Sequence, residues 1–381
     1  MEQQRPRKIE NVHHAEAGLL EAAMTVFRSG GTKGYSLVEV LVVIVIFAII
    51  TAGVSAVFLR GQHEYLVREE AVRMQQQARL AMTAMERDLR MTGYGLSDVG
   101  NLKIRFYNKG VGTVTDNYYA VAEANVFGSP KVAVPAADTD SIAIRYCDQP
   151  SDAMPDITLS GSVPPPSSSN TPVSSTDGIN ANDLIIIYDP TDLAKYGSIL
   201  MVTDTTSAGG LSVKHGNGAG DGPLASFYNP SNPAVNLFPP GGYPVGAKVL
   251  RLAPEALRTV RYYVDAGMNL RRQSQAGLTG AVEERPVASG IEDFQVKYYF
   301  RDGTWLDAPV TDDPDHDVDK LRAVRISIIV RTAKPDRQYG AGDSIRLTGD
   351  DGNGVARSGG GYRRMVMSTT ISLRNLAVRD M

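Results

Sequence analysis

Gly34-Tyr35-Ser36-Leu37-Val38-Glu39-Val40-Leu41-Val42-Val43-Ile44-Val45-Ile46-Phe47 is the stretch on which the fold turns. From Val40 to Leu59 no residue is charged, and Val and Ile dominate. Wound as an α-helix, that run is about 30 Å long, the thickness of a bilayer's hydrocarbon core. The core helix of a soluble protein would carry polar positions over such a length. Arg28 and Lys33 flank the run on its N-terminal side. That asymmetry keeps the N-terminal end cytoplasmic and sends the bulk of the chain across the membrane. An ordinary secretory signal places a small-residue cleavage site after its apolar run. Here only the weak Val54-Ser55-Ala56 stands there, whereas Lys33-Gly34 precedes the run.

Glu39 breaks the apolar pattern just inside the hydrocarbon edge. A lone carboxylate there costs about 2–3 kcal/mol or more unless a cation meets it. Cleavage after Gly34 would create that cation, the α-amino group of Tyr35. It would lie four residues before Glu39, on the same helix face. Glu39 of one subunit could equally meet the amine of a neighbour.

Gly34 through Leu41 resembles the class III signal of type IV prepilins and pseudopilins: Gly, an aromatic, Thr or Ser, two aliphatics, Glu, then an apolar helix. Tyr35 stands where most members carry Phe. The resemblance implies cleavage between Gly34 and Tyr35 by prepilin peptidase and methylation of the Tyr35 amine by an N-methyltransferase. It also implies that Glu39 aligns subunits by pairing with a neighbour's N-terminus. The leader, residues 1–34, is long for that family, and Glu2, Glu10, Glu16 and Glu21 make its start acidic. Met24 offers an alternative start to Met1, one that would give a short, basic leader. Peptides from residues 1–23 in unprocessed protein would refute this.

Outward from the membrane run, Val67, Ala71, Met74, Ala78, Ala81, Met85 and Leu89 recur at steps of three and four. That is one apolar helical stripe. Arg68, Glu69, Arg73, Gln75, Gln76, Arg87 and Asp88 hold the other positions, and Gly93 and Gly95 stop the helix. One helix is therefore expected from Tyr35 to about Thr92. Its membrane half spans 35–59, and its amphipathic half, 60–93, packs on a sheet.

Beyond Tyr94 the pattern turns to strands at Ser141–Tyr146, Asp183–Tyr188, Arg258–Val264, Phe294–Phe300, Val324–Val330 and Val366–Leu373. Pro164-Pro165-Pro166-Ser167-Ser168-Ser169 reads as an exposed loop, either a domain boundary or an insertion in one head. The fold class is α+β: a long N-terminal helix packed on an antiparallel β-sheet head, 94–381, with long loops. Met85 through Gly95 is similar to a stretch of PilW-type minor pilins. Tyr298–Ile326 and Arg363–Leu376 are similar to the late sheet of PilW-type and J-type minor pilins.

Other chemistry is sparse. The 39 basic and 42 acidic residues leave a net charge of -3, with no overall pull toward nucleic acid. The lone Cys147 permits no intrachain disulfide and reads as an apolar strand residue. His13, His14, His63, His215 and His316 form no metal-binding spacing, and no nucleophile-elbow, P-loop or dinucleotide motif occurs. Asp313, Asp315, Asp317 and Asp319 alternate around His316 and are weak calcium candidates. The EF-hand pattern fails, with Val318 where Gly is required and Val324 where Glu is required. A solvated loop is expected there, and Asp350-Asp351-Gly352-Asn353-Gly354 reads as a turn. Arg271-Arg272 and Arg363-Arg364 are expected to be solvated faces, not DNA contacts. No catalytic residue, metal or cofactor is expected.

The reading that unites these features is a minor pilin resembling the PilW type, because a head this bulky packs poorly as a repeating subunit. By that resemblance it would join the major pilin and other minor pilins, prime filament assembly, and carry a tip adhesin. It would span the bacterial inner membrane once, with a periplasmic head, and then enter a surface filament. The alternatives are a J-type minor pseudopilin of a type II secretion system and a membrane-anchored exported adhesin or enzyme.

Overall fold

The computed structural model describes residues 35–96, 104–108, 113–115, 121–122, 139–148, 156–165, 170–192, 196–206, 210–216, 229, 236–252, 256–277, 281–310, 313–336, 344–345 and 357–377. Helix α1 runs without a break from Leu37 to Arg90. Its second half is built from Ala, Met, Gln, Glu, Arg and Leu, which favour helix in water. Glu39 in the first turn and Arg87 and Arg90 in the last complement the helix dipole. None of the apolar run's side chains is buried: Phe47 is 69% exposed and Ile44 61%. The helix is long and apolar enough to cross a membrane.

Residues Val67–Met381 make one compact unit. Its longer strands are β1 (Ile104–Asn108), β2 (Ser141–Cys147), β3 (Leu184–Tyr188), β4 (Gly197–Met201), β5 (Lys248–Leu252), β6 (Leu257–Val264), β7 (Asn269–Ala276), β8 (Val282–Ser289), β9 (Ile291–Phe300), β10 (Leu321–Arg331) and β11 (Arg364–Ser372). One sheet has the order β8-β7-β6-β2, ending on Val121–Ala122. Another begins at Trp305–Leu306 and continues β9-β10-β11. A third runs from Thr113–Thr115 through β1-β4-β3-β5 to Ile157–Thr158. Its β1–β4 pair is parallel, and the other strand pairs are antiparallel. All six expected strands are present, and the fold is α+β, as the sequence pattern implies.

The largest core joins α1 to the first two sheets. Met74, Ala78, Ala81, Met82, Met85 and Leu89 pack with Ile144, Tyr262, Phe294, Val296, Ile326 and Ile328. Alternation explains the strand side of this core. On β9 the even positions Phe294, Val296, Tyr298 and Phe300 are buried in it, and on β10 Val324, Ile326, Ile328 and Val330 are. Burying Met85 and Leu89 contributes roughly 1.5–3 kcal/mol each. Two smaller clusters lie on the two faces of the third sheet. One includes Leu184, Ile186, Ile199 and Cys147, and the other Ile185, Ile187, Leu200 and Phe238. Strand β3 is buried at every position, so it reads as an uninterrupted apolar run rather than an alternation.

Candidate assembly and processing site

The N-terminal end presents its chemistry openly. Tyr35, 81% exposed, precedes the first helical residue, and the Val40 amide donates to Ser36 O at 3.2 Å. Helix geometry therefore begins within reach of the proposed cut. Glu39 lies in the first turn and is exposed. It is the last charge before Arg60. Gly34, on the other side of the cut, lies outside the described residues. A new Tyr35 amine and the Glu39 carboxylate would share the first turn of a helix whose flank carries no other charge.

The far end of α1 is fixed by a buried polar cluster. The Asp88 carboxylate accepts from Tyr262 Oη at 2.7 Å and from Arg272 Nε at 2.6 Å. Tyr262 Oη also lies 3.1 Å from the Ala84 carbonyl. Burial raises the Tyr262 pKa, and the adjacent Asp88 charge raises it further, so the phenol stays a donor. Burial works to lower the Arg272 pKa, but the Asp88 carboxylate outweighs it and the net shift is upward. The helical period set Asp88 on the polar side with Arg87, and the structure corrects this: Asp88 is 9% exposed. A carboxylate there is tolerated because it has two donors from the sheet.

Further contacts run along the same side of the helix. Glu70 accepts from the Ala333 amide at 3.3 Å, and Gln77 from the Ser289 amide at 2.9 Å. Glu70, Gln77 and Ala84 are seven residues apart, so they form a row one above another beside the apolar stripe. At the helix end, where carbonyls lose their intrahelical partners, Asn375 Nδ2 donates to Arg90 O at 3.2 Å and Thr92 O at 3.1 Å. The chain then turns at Gly93 and Gly95, with φ of 72° and 66°. A Cβ at Gly95 would sit 2.7 Å from the Cys147 carbonyl oxygen, so glycine is required there. Thus Met85 through Gly95 holds helix, turn and β2 together.

The remaining candidates have structural partners. Asp313 Oδ1 accepts from the amides of Asp315 at 2.9 Å and His316 at 2.8 Å. The Asp315 amide, with the His316 contacts, holds its carboxyl below the usual range. Asp317 accepts from the Val318 amide at 2.7 Å, capping a short 3-10 turn at Val318–Lys320. Among the described residues no group of His, Cys, Asp and Glu is placed to hold a metal ion. Residues 350–354 lie outside the described set. The arginine pairs were expected to be solvated; Arg271 and Arg363 are partly exposed, but the structure corrects this for Arg272 and Arg364, whose side chains are largely buried. Arg271 bonds Asp265 at 2.7 Å, Arg272 bonds Asp88, Arg363 bonds Asp336 at 2.9 Å, and Arg364 bonds Glu292 at 2.6 Å. The Arg364 side chain is only 4% exposed. Sequence spacing could not reveal these pairs, because each acid comes from a different part of the chain or from a turn.

A helix whose first half is long and apolar enough to cross a membrane, and whose second half packs on a mostly antiparallel β-sheet head, fits a membrane-anchored subunit. Two family models match the chain. The prokaryotic N-terminal methylation motif covers residues 31–55, and Type IV Pilus-assembly protein W covers residues 261–375. The chain is a type IV pilin-like protein with a class III signal. No curated protein matches it. Among solved structures, a type IV-like pilin from Thermus thermophilus aligns at 13% identity with a TM-score of 0.35, covering 80% of this chain and 98% of that one. The PilW match begins at Arg261 and ends at Asn375. It therefore holds Tyr262, Arg272 and Asn375, all of which grip α1.

Proposed function

We propose that the chain is a minor pilin of a type IV pilus that primes filament assembly and stands in or near the tip complex. Prepilin peptidase cuts between Gly34 and Tyr35, and an N-methyltransferase then modifies the Tyr35 amine. The membrane segment, residues 35–59, anchors the chain in the inner membrane with the head, 94–381, exported. The amphipathic half, 60–93, joins the two. During assembly Glu39 pairs with a subunit N-terminus, and the other minor pilins and the major pilin are the partners. The observation that carries this reading is the methylation motif at residues 31–55, which takes in most of an apolar run with no buried side chain. A charge at Glu39 is tolerable in that run only if a partner neutralises it.

The test is a pair of substitutions in the native cell. Gly34→Leu is expected to leave an uncleaved precursor in the membrane. Glu39→Ala is expected to be cleaved normally but to lose entry into filaments. Normal processing of the first, with wild-type filament numbers in both, would contradict the proposal.

A further inference from the structure

The Arg331 side chain, at the end of β10, lacks a hydrogen-bond acceptor. Among the described residues its ion-pair partner is Glu292, 3.6 Å from Nη1. That is too long for a hydrogen bond. Glu292 is already taken, held by Arg364 at 2.6 and 3.0 Å. Arg331 Cζ lies 4.1 Å from the centre of the Tyr362 ring. Stacking fixes the guanidinium plane and leaves its N–H edges open to an acceptor.

Arg331 lines a cleft of about 210 Å³ together with Arg73 of α1. Arg73 also has loose partners: Glu69 at 3.4 Å, with both side chains about half exposed, and Glu70 at 3.9 Å. Exposed pairs of this kind contribute little. The other acceptors of the cleft are occupied, Glu70 by the Ala333 amide and Gln77 by the Ser289 amide. Met74 and Met268 supply apolar wall. Met268 has φ of 60°, a left-handed conformation that methionine seldom adopts, and its carbonyl accepts from the Ile291 amide at 2.9 Å. Such strain gathers at binding sites, where the surroundings hold it in place.

We propose that this cleft binds a carboxylate carried on a short aliphatic stem. Two guanidiniums and the single Glu70 carboxylate line it, which leaves one positive charge. That balance suits a monoanion, and the planar guanidinium edge suits a carboxylate. The methionine walls suit a stem of a few methylenes, because their thioethers adapt to its shape. A free small acid and an Asp or Glu side chain of a neighbouring subunit both offer this chemistry. The site itself does not depend on the pilin reading, since all its residues belong to one compact unit of the chain.

The experiment titrates butyrate into the full chain in detergent, isotope-labelled at the methionine methyls and read by NMR. Met74→Leu and Met268→Leu assign the two cleft signals. Butyrate is expected to shift both along one saturable curve and to leave Met85, in the core, unmoved. Butylammonium should shift neither, and inorganic phosphate, which has no stem, should bind more weakly than butyrate. Arg331→Gln should weaken butyrate binding about tenfold or more, and Arg73→Gln about twofold to fivefold. An unchanged Met85 signal shows that a variant is folded; should Arg331→Gln not fold, the exposed Arg73→Gln decides. No saturable shift at Met74 and Met268, an equal response to butylammonium, phosphate bound as tightly, or butyrate affinity unchanged in the folded variants would each overturn the proposal. Once butyrate binds, the photocrosslinker p-benzoylphenylalanine at Ser289, an exposed residue of the cleft, separates the two sources in the native cell. A crosslink beside an acidic residue of another subunit supports the proposal with that side chain as the occupant, and no crosslink supports it with a free acid. A crosslink to a segment without Asp or Glu would overturn it.

Discussion

Between Leu37 and Leu59, helix α1 carries Val, Ile, Leu or Phe at most positions and buries none of them. Between Met74 and Leu89 half of the positions are polar, yet Met74, Ala78, Ala81, Met82, Met85 and Leu89 are all buried. Hydrophobic content and burial run in opposite directions along one helix. The difference teaches that the two halves are matched to different solvents. The first half needs lipid or neighbouring helices, and the second is held by the protein's own sheets. Asp88 makes the same point from the polar side. It is a charge inside the buried half, held by two donors, whereas Glu39 is an exposed charge in the first turn of the apolar half.

The largest effect is expected at the clamp. Asp88→Ala leaves Arg272 without its carboxylate partner, and the loss of one member of a buried pair costs about 3–5 kcal/mol. Chemical unfolding of the full chain in detergent would measure it. A change below about 1 kcal/mol would mean that the clamp does not hold the buried half.

Truncation at one site in each half sharpens the contrast. Met85 is fully buried, so Met85→Ala is expected to cost about 2–5 kcal/mol. Phe47 is larger but 69% exposed, and Phe47→Ala is expected to change the head's stability by less than about 0.5 kcal/mol. Comparable losses at the two positions would break the distinction.

His215 tests whether a region remote from α1 unfolds with it. It is 5% exposed, its Nε2 lies 2.8 Å from Thr171 Oγ1, and burial lowers its pKa to about 4. The unfolded chain takes up a proton near pH 6.5, whereas the folded one waits until about pH 4. Stability is therefore full above pH 6.5 and falls as pH drops toward 4, by roughly 3 kcal/mol in all. Thermal unfolding from pH 7 to 5 should show the decline in one transition covering Val67–Met381. His215→Gln should flatten it.

Much of this was legible in the sequence, and the reasons are local. The membrane run declares itself through its length, and the stripe from Val67 to Leu89 through its period. Ser141–Cys147, Ile291–Phe300 and Leu321–Arg331 show the β-branched and aromatic residues of half-buried strands. The β7–β8 hairpin was missed because Leu270 and Ala288 are its only buried apolar side chains, and β8 carries three charges and a proline. Asp88 was misplaced because periodicity assigns faces and says nothing about ion pairs. Its partner Arg272 is 184 residues away. The Met85–Gly95 stretch was noticed by resemblance, and its physical reason, a clamp, a cap and a forced glycine turn, needed coordinates.

The most direct measurement is the N-terminus of the chain recovered from the membrane. Mass spectrometry should find a first residue Tyr35 carrying an added methyl group on its amine, with no peptide spanning Gly34 and Tyr35. A mature chain that retains Lys33-Gly34-Tyr35 intact, or begins elsewhere, would contradict the account.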